Sequence, residues 1–344
     1  MTSQTFPKCS FGEKCAEFAV SFSSFCWEHS NPKEFLASLS AELKNRHVEK
    51  PLVLNLKKVV CENLDFSKIN FSGSILSQAH FSDCHFVGTH LSNSNMIGAR
   101  FDGCDLVGSD LRNAHLTRAI FNHCLLSHSD LRGAYLVEAH FNETDFMASL
   151  LSGTVLWNAD FRGVKNLRKK NFENPDAKGL AALSEKHALV AFESYRTIKH
   201  YFYDQGFYED ASWAAYRGLT MERKHFFETR DPRYFPSLLM DILSGYTEKP
   251  HRVILSSLTV VLLFGVLYFL LNVPQASANL NSYSRISFLD SIYFSFITVT
   301  TVGFGDLVPR PGALFQLLTC AEAFSGPFMA GLYIFTLTRR YAAH

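Results

Sequence analysis

The sequence predicts a multi-domain protein in which a repetitive domain, neither helical nor built of ordinary strands, precedes a helical linker and a helical membrane domain. Three observations lead to this fold class. Large apolar residues recur at every fifth position between residues 66 and 161. Two segments near the C-terminus are apolar enough to cross a bilayer, and a short loop containing two glycines lies between them.

Composition argues against several classes of protein. The 344 residues leave room for more than one domain. The net charge of +1 points neither to nucleic acid nor to an acidic partner. The 8 cysteines are dispersed and the N-terminus has no apolar signal-peptide region, which argues against a secreted disulfide scaffold. We therefore expect everything before Val253 to remain in the cytosol.

Residues 1–33 contain a possible metal site, formed by Cys9, Cys15, Cys26 and His29. Three thiolates and an imidazole suit a closed tetrahedral Zn2+ site of the structural type. So small a segment could not otherwise bury enough apolar surface to hold a shape. The alternative is four unrelated residues in a loose N-terminal segment.

Residues 34–61 are predicted to contain a capping helix and the start of the repeat. The helix is expected over residues 34–48, with Phe35, Leu36, Leu39 and Leu43 on one side. We expect this apolar side to cover the end of the repeat.

Residues 62–165 hold the repeat itself. Leu, Phe or Met occupies every fifth position from Phe66 to Phe161 without a gap, and a mostly small residue stands two positions before each. A period of five fits neither a helix nor an ordinary strand. The pattern resembles the pentapeptide-repeat family. This resemblance implies a right-handed quadrilateral β-helix with four pentapeptides in each coil and about five coils in all.

Cys84, Cys104 and Cys124 should form one column in such a solenoid, because they are 20 residues apart. A metal or redox role is one interpretation of this column. The other, which we favour, is that cysteine serves there as a small apolar filler. The histidines of the repeat fall at several register positions, which indicates surface residues.

Residues 166–233 are predicted to form a cytosolic helical hairpin that joins the soluble and membrane regions. Asn174-Pro175 marks a boundary, and the two helices are expected over residues 177–205 and 210–229. The hairpin resembles those that often connect soluble modules to membrane domains.

Residues 234–250 form a candidate amphipathic helix directly before the first apolar segment. One face of this helix is predicted to carry Phe235, Leu238, Leu239, Ile242 and Leu243. Such a helix can lie in the membrane interface and couple soluble motion to the membrane domain. A packed connector is the alternative.

Residues 251–344 contain the two apolar segments, at 253–273 and 312–338. Each exceeds the ~20 residues that a helix needs to cross the hydrocarbon core of a lipid bilayer. Basic residues precede the first segment and follow the second, so both termini are expected on the cytoplasmic side.

The region between these segments has the composition of a re-entrant loop. Residues 289–300 are apolar with several hydroxyls, which predicts a short helix whose negative end faces the next residues. Gly303 and Gly305 can adopt positive φ without a Cβ penalty. Alternating such residues lets successive carbonyl groups point toward a common axis. Four such loops would form rings of carbonyl oxygens, which can replace the hydration shell of a cation.

The loop and its flanks resemble the T-V-G-Y-G signature of two-transmembrane potassium channels, with Phe304 at the place of the usual tyrosine. The resemblance implies a homotetramer in a lipid bilayer, with K+ ions held in a selectivity filter that Thr300 supports from the pore helix. The implied filter residues are Thr301, Val302, Gly303, Phe304, Gly305 and Asp306.

Three residues of the second apolar segment are further candidates. Glu322 is an ionisable group in a membrane helix, which indicates a functional role, and we expect it to brace the pore helix behind the filter. Gly326 matches the hinge glycine of the channel family. Pro327 removes a backbone hydrogen bond and favours a kink beside it.

The sequence therefore predicts a tetrameric potassium-selective channel of the inner or plasma membrane. Only four residues follow Arg340, so we expect the cytosolic N-terminal region to regulate the pore, through an unidentified ligand or protein. No nucleophile constellation or phosphate loop indicates an enzyme.

Two alternatives remain open. One is a weakly selective channel that also passes Na+, and the other is a membrane-anchored pentapeptide-repeat scaffold that binds a protein partner. Between residues 62 and 163 acidic side chains outnumber basic ones by 11 to 6, which is a weak imbalance for a DNA mimic. No nucleic-acid partner is expected.

Overall fold

The fold is described from a computed structural model, which describes residues 6–10, 15, 17–21, 23, 25–44, 52–173, 187–277 and 286–341. The chain divides into two units, residues 1–225 and residues 226–344. Residues 45–48 of the predicted capping helix, the Asn174-Pro175 boundary and the first part of the predicted helix 177–205 lie outside the described residues.

The first unit combines short helices with a long series of very short strands. A 3-10 helix, Trp27–His29, precedes helix α1, Pro32–Lys44. A second 3-10 helix, Lys169–Phe172, follows the strands and leads to α2, Ala188–Asp204, and α3, Tyr208–Glu228, whose last residues belong to the second unit. The strands are β1 Val60–Glu62, β2 His80–Ser82, β3 Arg100–Asp102, β4 Ile120–Asn122, β5 His140–Asn142 and β6 Asp160–Arg162.

These six strands form one parallel sheet in chain order. Each residue pairs with the residue 20 positions later, as Val60 does with His80. Isolated bridges on the other sides keep the same offset, for example between Asp65 and His85 and between Asn70 and His90. One coil therefore contains four pentapeptides, which confirms the expected β-solenoid.

The solenoid core consists of the large residues that recur with period five. Phe81, Phe101, Phe121 and Phe141 are fully buried. Their rings stack on one another with centroid distances of 5.2, 4.9 and 5.1 Å. The small residues two positions before each large one are buried as well, so large and small side chains fill the interior together.

Each corner of the solenoid requires a residue with positive φ, two positions after the large residue. One column of such residues runs Gly73, Asn93, Asn113, Gly133 and Gly153, with φ from 54° to 74°. Glycine and asparagine tolerate this conformation better than other residues. This regularity is visible in the sequence, although the period-five analysis did not use it.

The last coil is closed by side chains from the segments that follow it. The Asn171 amide donates to the carbonyl oxygens of Phe146 and Ser149 at 2.9 and 3.0 Å. Ser194 of α2 accepts a hydrogen bond from the Leu156 amide at 3.1 Å. The contacts to the Ser149 carbonyl oxygen and the Leu156 amide satisfy backbone groups at the end of the ladder, whereas the Phe146 carbonyl oxygen also accepts from the Ser149 amide at 3.1 Å.

The second unit is helical. Helix α4, Tyr234–Ser244, precedes α5, Pro250–Leu271. A two-stranded antiparallel sheet of β7, Pro274–Ala276, and β8, Leu307–Pro309, flanks helix α6, Phe288–Val299. Helix α7 covers Ala313–Tyr341. The ends of α5, α6 and α7 lie within three residues of those expected from the sequence.

Within the described residues, two helices are long and apolar enough to cross a membrane. They are Pro250–Leu271 and Ala313–Thr338, with mean hydropathies of 2.5 and 1.3. Only 22% and 17% of their apolar windows are buried inside the chain. The core helix of a soluble protein would be mostly buried, so the exposed surface of these two helices fits contact with lipid or with other chains.

Candidate functional site

Helix α6 and the loop after it form the first part of the site. The helix begins with a capping box, in which the Ser287 hydroxyl accepts from the Asp290 amide and the Asp290 carboxylate accepts from the Ser287 amide. At the other end the chain turns back, and the amides of Val302 and Gly303 donate to the Ile297 carbonyl oxygen at 3.0 and 3.3 Å. The loop is thereby held directly beneath the carbonyl end of α6, where the helix dipole is negative.

The loop backbone alternates in conformation. The φ angle is 56° at Thr301, 52° at Gly303 and 78° at Gly305, whereas Val302 and Phe304 have no positive φ. A Cβ atom on Gly303 or Gly305 would meet no atom of this chain within 4 Å. Both glycines are therefore required by backbone conformation and not by lack of space.

The loop faces open space in the single chain. All residues from Thr301 to Asp306 are exposed, and the exposed fractions of Val302 and Phe304 are 53% and 71%. Thr300 ends α6, and its hydroxyl donates to the Phe296 carbonyl oxygen at 2.7 Å. Contiguous large apolar side chains are seldom this exposed on the surface of a monomeric soluble protein.

Sequence reasoning missed how the end of the loop is fixed. Strand β8 starts directly after Asp306 and pairs with β7, and the Ser277 amide donates to the Asp306 carbonyl oxygen at 3.0 Å. Three-residue strands give no signal in the sequence that could have predicted these contacts.

Glu322 of α7 connects three helices. Its carboxylate is fully buried and accepts hydrogen bonds from the hydroxyls of Ser295 on α6 and Tyr268 on α5, the latter at 2.6 Å. The Ser295 hydroxyl also lies 2.9 Å from the Val261 carbonyl oxygen of α5. The carboxylate is thus placed behind the loop-bearing helix and away from the loop itself. The hydroxyl partners were not identified from the sequence.

Gly326 lies where α7 packs directly against the last residue of α6, Val299. A Cβ atom at this position would overlap the Val299 carbonyl oxygen and lie 2.8 Å from the Val299 carbonyl carbon. Close packing against α6 therefore requires glycine at this position, in addition to the hinge role expected from the sequence. Pro327 lies inside the continuous helix α7.

Cys9, Cys15, Cys26 and His29 come together in the first unit. Their ligand atoms all lie within 4.8 Å of one another. The Sγ atoms of Cys15 and Cys26 are 3.8 Å apart, and His29 Nδ1 is 3.6 Å from Cys9 Sγ and 3.1 Å from Cys26 Sγ. Two sulfur ligands at ~2.3 Å from a tetrahedral Zn2+ are ~3.8 Å apart. The donor set and its spacing fit Zn2+.

The column of Cys84, Cys104 and Cys124 has a different geometry. The Cys104 and Cys124 thiols donate to backbone carbonyl oxygens of the preceding coil at 3.4 and 3.3 Å, and the Thr144 hydroxyl makes the same contact one coil later. The Cys124 thiol above all, together with burial, raises the pKa of Cys104 to about 12. A neutral, buried thiol that threonine can replace fits the interpretation as a small core residue.

Comparison with known proteins agrees with both parts of this architecture. Residues 256–343 match the ion channel family, residues 54–131 match the pentapeptide repeat region family, and residues 129–165 match pentapeptide repeats. The chain therefore combines an ion channel domain with pentapeptide repeats. The ion channel domain and the two exposed apolar helices indicate a membrane protein.

The curated relatives are similar over a limited part of the chain. Two-pore potassium channel 1 of Arabidopsis thaliana is 40% identical over 80 residues, which cover 23% of this chain and 21% of that protein. Two pore potassium channel b of Oryza sativa subsp. japonica is 33% identical over 93 residues, which cover 27% of this chain and 25% of that protein. The chain thus spans about a fifth to a quarter of the length of these relatives.

Among solved structures, full-length QnrB1, a plasmid-mediated fluoroquinolone resistance protein, is 20% identical. The comparison covers 31% of this chain and 68% of that chain, with a TM-score of 0.19.

Proposed function

We propose that this chain forms a tetrameric, potassium-selective channel that conducts K+ passively across a cell membrane. The observation that carries the proposal is the loop Thr301–Asp306, which has alternating positive φ, lies under the negative end of α6 and is flanked by two membrane-length helices. The names of the relatives, which are potassium channels, support the choice of K+.

The loop supplies the chemistry that selective conduction needs. Alternation of conformation at Thr301, Gly303 and Gly305 turns successive carbonyl groups toward one side, and these oxygens replace the water shell of K+. The Thr301 hydroxyl adds one further ring of oxygens. The carbonyl end of α6 favours a cation at the inner end of the loop.

The geometry of the loop and its exposed apolar surface both support the assembly of four chains. One loop per chain provides one quarter of each oxygen ring, so a complete filter needs four copies. The same assembly would cover Val302 and Phe304, whose apolar side chains are exposed in the single chain.

Reversal potentials test selectivity. Purified protein in planar bilayers is expected to give a reversal potential near that of K+ under opposed K+ and Na+ gradients. A Gly303→Ala variant should lose this current, because alanine at positive φ costs about 1–2 kcal/mol in each chain. Equal permeability to K+ and Na+ in the wild-type protein would identify a weakly selective cation channel instead. Normal selective current from the variant would contradict the filter assignment.

We further propose that α4 lies in the membrane interface and that the cytosolic N-terminal region acts on the pore through it. Within the second unit, Phe235, Leu239 and Ile242 are exposed on α4, with exposed fractions of 72%, 53% and 59%. The buried side carries Asp241, which pairs with Arg252 at the start of α5 at 2.7 Å. An exposed apolar face and a polar link to a membrane helix suit an interfacial coupling helix better than a packed connector.

We also propose that Cys9, Cys15, Cys26 and His29 bind a structural Zn2+ ion. Its support is the convergence of three thiols and one imidazole within 4.8 Å. Elemental analysis of protein purified without chelator should find about one Zn2+ per chain, and Cys26→Ser should lower this value. Metal-free protein would leave these four side chains as an ordinary polar cluster.

A further inference from the structure

The edge of the first coil has backbone groups that no preceding coil can satisfy. Inside the solenoid, Ile75 shows the regular pattern: its amide donates to the Leu54 carbonyl oxygen at 2.8 Å, and its own carbonyl oxygen accepts from the Leu56 amide at 2.7 Å. Asn55 is the equivalent of Ile75 one coil earlier. The residue 20 positions before Asn55 is Phe35, which lies in α1 and forms no strand. The amide and carbonyl of Asn55 therefore need other partners.

Ser21 provides both partners. The Asn55 amide donates to the Ser21 hydroxyl oxygen at 2.8 Å, and the Ser21 amide donates to the Asn55 carbonyl oxygen at 2.9 Å. The Asn55 side-chain amide also donates to the Ala19 carbonyl oxygen at 2.8 Å. Asn55 is only 2% exposed, so water could not replace these hydrogen bonds without opening the end of the solenoid.

The Cys/His cluster joins the two ends of the segment that carries Ser21. Cys15 precedes Ser21 and Cys26 follows it, and their Sγ atoms are 3.8 Å apart. The Cys9 amide donates to the Glu17 carbonyl oxygen at 2.9 Å, which joins the first cysteine to the same segment. A metal ion bound to these side chains would close the segment into a loop at its two ends.

The same cluster also fixes helix α1 over the end of the core. His29 ends the 3-10 helix that leads to α1, and Trp27 packs edge-on against Phe35 with a centroid distance of 5.5 Å. Phe35 and Leu39 of α1 are buried in the hydrophobic cluster that continues through the solenoid. Residues on both sides of the cluster thus cover the first coil.

Other contacts between this segment and the first coil are the burial of Val20, which is 2% exposed in the same hydrophobic cluster, and two ion pairs. Lys57 and Lys58 form ion pairs with Glu17 and Glu28, both at 2.6 Å, but all four side chains are about one third exposed or more. Ion pairs at this exposure contribute little to stability. The segment is also too short to hold its own conformation by apolar burial. A metal ion is the stronger constraint.

We propose that Zn2+ bound by Cys9, Cys15, Cys26 and His29 holds Ser21 against Asn55, so that the metal site is the cap of the first coil. This inference rests on the Zn2+ site proposed above and assigns its role. The bound ion is a divalent cation that prefers thiolate ligands and tetrahedral coordination. In a site of three cysteines and one histidine this cation is commonly Zn2+.

Hydrogen exchange measured by mass spectrometry on the full-length protein in detergent tests the role. Removing Zn2+ with a chelator is expected to speed exchange of the Asn55 amide about tenfold, which corresponds to the loss of one hydrogen bond of about 1.4 kcal/mol. The Asp105 amide lies in the middle of the solenoid and donates to the Cys84 carbonyl oxygen at 3.0 Å. This amide should keep its protection. Unchanged exchange at Asn55 after Zn2+ has been removed would overturn the cap.

Three variants separate the cap from the metal site. Cys26→Ser should lose both Zn2+ and the protection of Asn55. Ser21→Ala should keep Zn2+ and lose the protection, because the hydroxyl acceptor is gone while the ligands remain. Cys104→Ser is the matched control, since the Thr144 hydroxyl in the same column already makes the equivalent hydrogen bond, and it should keep both.

The outcomes distinguish the two proposals. A chain that binds Zn2+ but shows the same Asn55 exchange in the wild type and in Ser21→Ala overturns the cap and leaves the metal site standing. A wild-type chain without bound Zn2+ overturns the metal site and the cap together.

Discussion

Gly326 illustrates how a single residue can have two physical explanations. A hinge needs glycine for flexibility, whereas close packing needs it for space. The Val299 carbonyl oxygen occupies the position that a Cβ on Gly326 would take. Backbone cannot move aside as the end of a flexible side chain can, so the packing explanation makes a strong prediction.

We expect Gly326→Ala to destabilise the assembled membrane domain by about 1–3 kcal/mol or more, because α7 must move away from α6. The measurement is the yield and melting temperature of the detergent-solubilised protein. Gly331→Ala on the same helix is the matched control, since a Cβ there meets no atom within 4 Å. If both variants assemble normally and differ only in gating, Gly326 acts as a hinge and the packing explanation is wrong.

At the scale of elements, the membrane domain depends on how α5, α6 and α7 are held together. Gly265 of α5 lets that helix approach α6, since a Cβ at this position would lie 2.9 Å from Ile292 Cγ1. Glu322 adds a polar contact between all three helices through Tyr268 and Ser295. The carboxylate thus fixes α6, and with it the start of the loop.

Replacing Glu322 tests this contact. Glu322→Ala would leave the buried Tyr268 hydroxyl without its carboxylate acceptor, at a cost of about 1–3 kcal/mol. The Ser295 hydroxyl can still donate to the Val261 carbonyl oxygen at 2.9 Å, but its contact with α7 is lost. We expect a lower melting temperature in K+ buffer and a smaller K+ to Na+ selectivity. Glu322→Gln keeps one acceptor oxygen and should lose less stability.

Tyr268→Phe is the control for this experiment, because it removes only one of the two donors. Wild-type stability and selectivity in Glu322→Ala would mean that the carboxylate does not support the loop.

At the scale of the whole molecule, the chain contains two units that can be tested separately. Residues 226–344 include α4, both membrane-length helices, α6 and the loop. The solenoid belongs to the other unit, and each of its coils packs only on its neighbours, which makes it stiff along its axis. A stiff body connected along the chain through α2, α3 and α4 to a membrane helix suits regulation of a pore better than formation of one.

A protein that begins at residue 233 is therefore expected to form tetramers and to conduct K+, with an altered open probability. Native mass spectrometry measures the assembly and single-channel recording measures the opening. Unchanged gating would reject a regulatory role for the N-terminal region. Loss of tetramers would instead identify this region as an assembly domain.

Features that depend on local pattern can be predicted from the sequence alone. A large residue at every fifth position indicates pentapeptide repeats, and the resemblance to that family implies the coil of 20 residues that the strand register confirms. The two membrane-length helices follow from the thickness of a bilayer, and the position of the loop follows from its two glycines. These constraints act between residues that are close in the chain.

Contacts between residues that are distant in the chain follow from the three-dimensional packing. Tyr268 and Glu322 are 54 positions apart, and Ser21 and Asn55 are 34 apart. The role of Gly326 likewise depends on the path of α6. In each case the contact arises from the packing of separate segments, and hydroxyl, carboxylate and glycine residues carry no periodic signal that could indicate their partners.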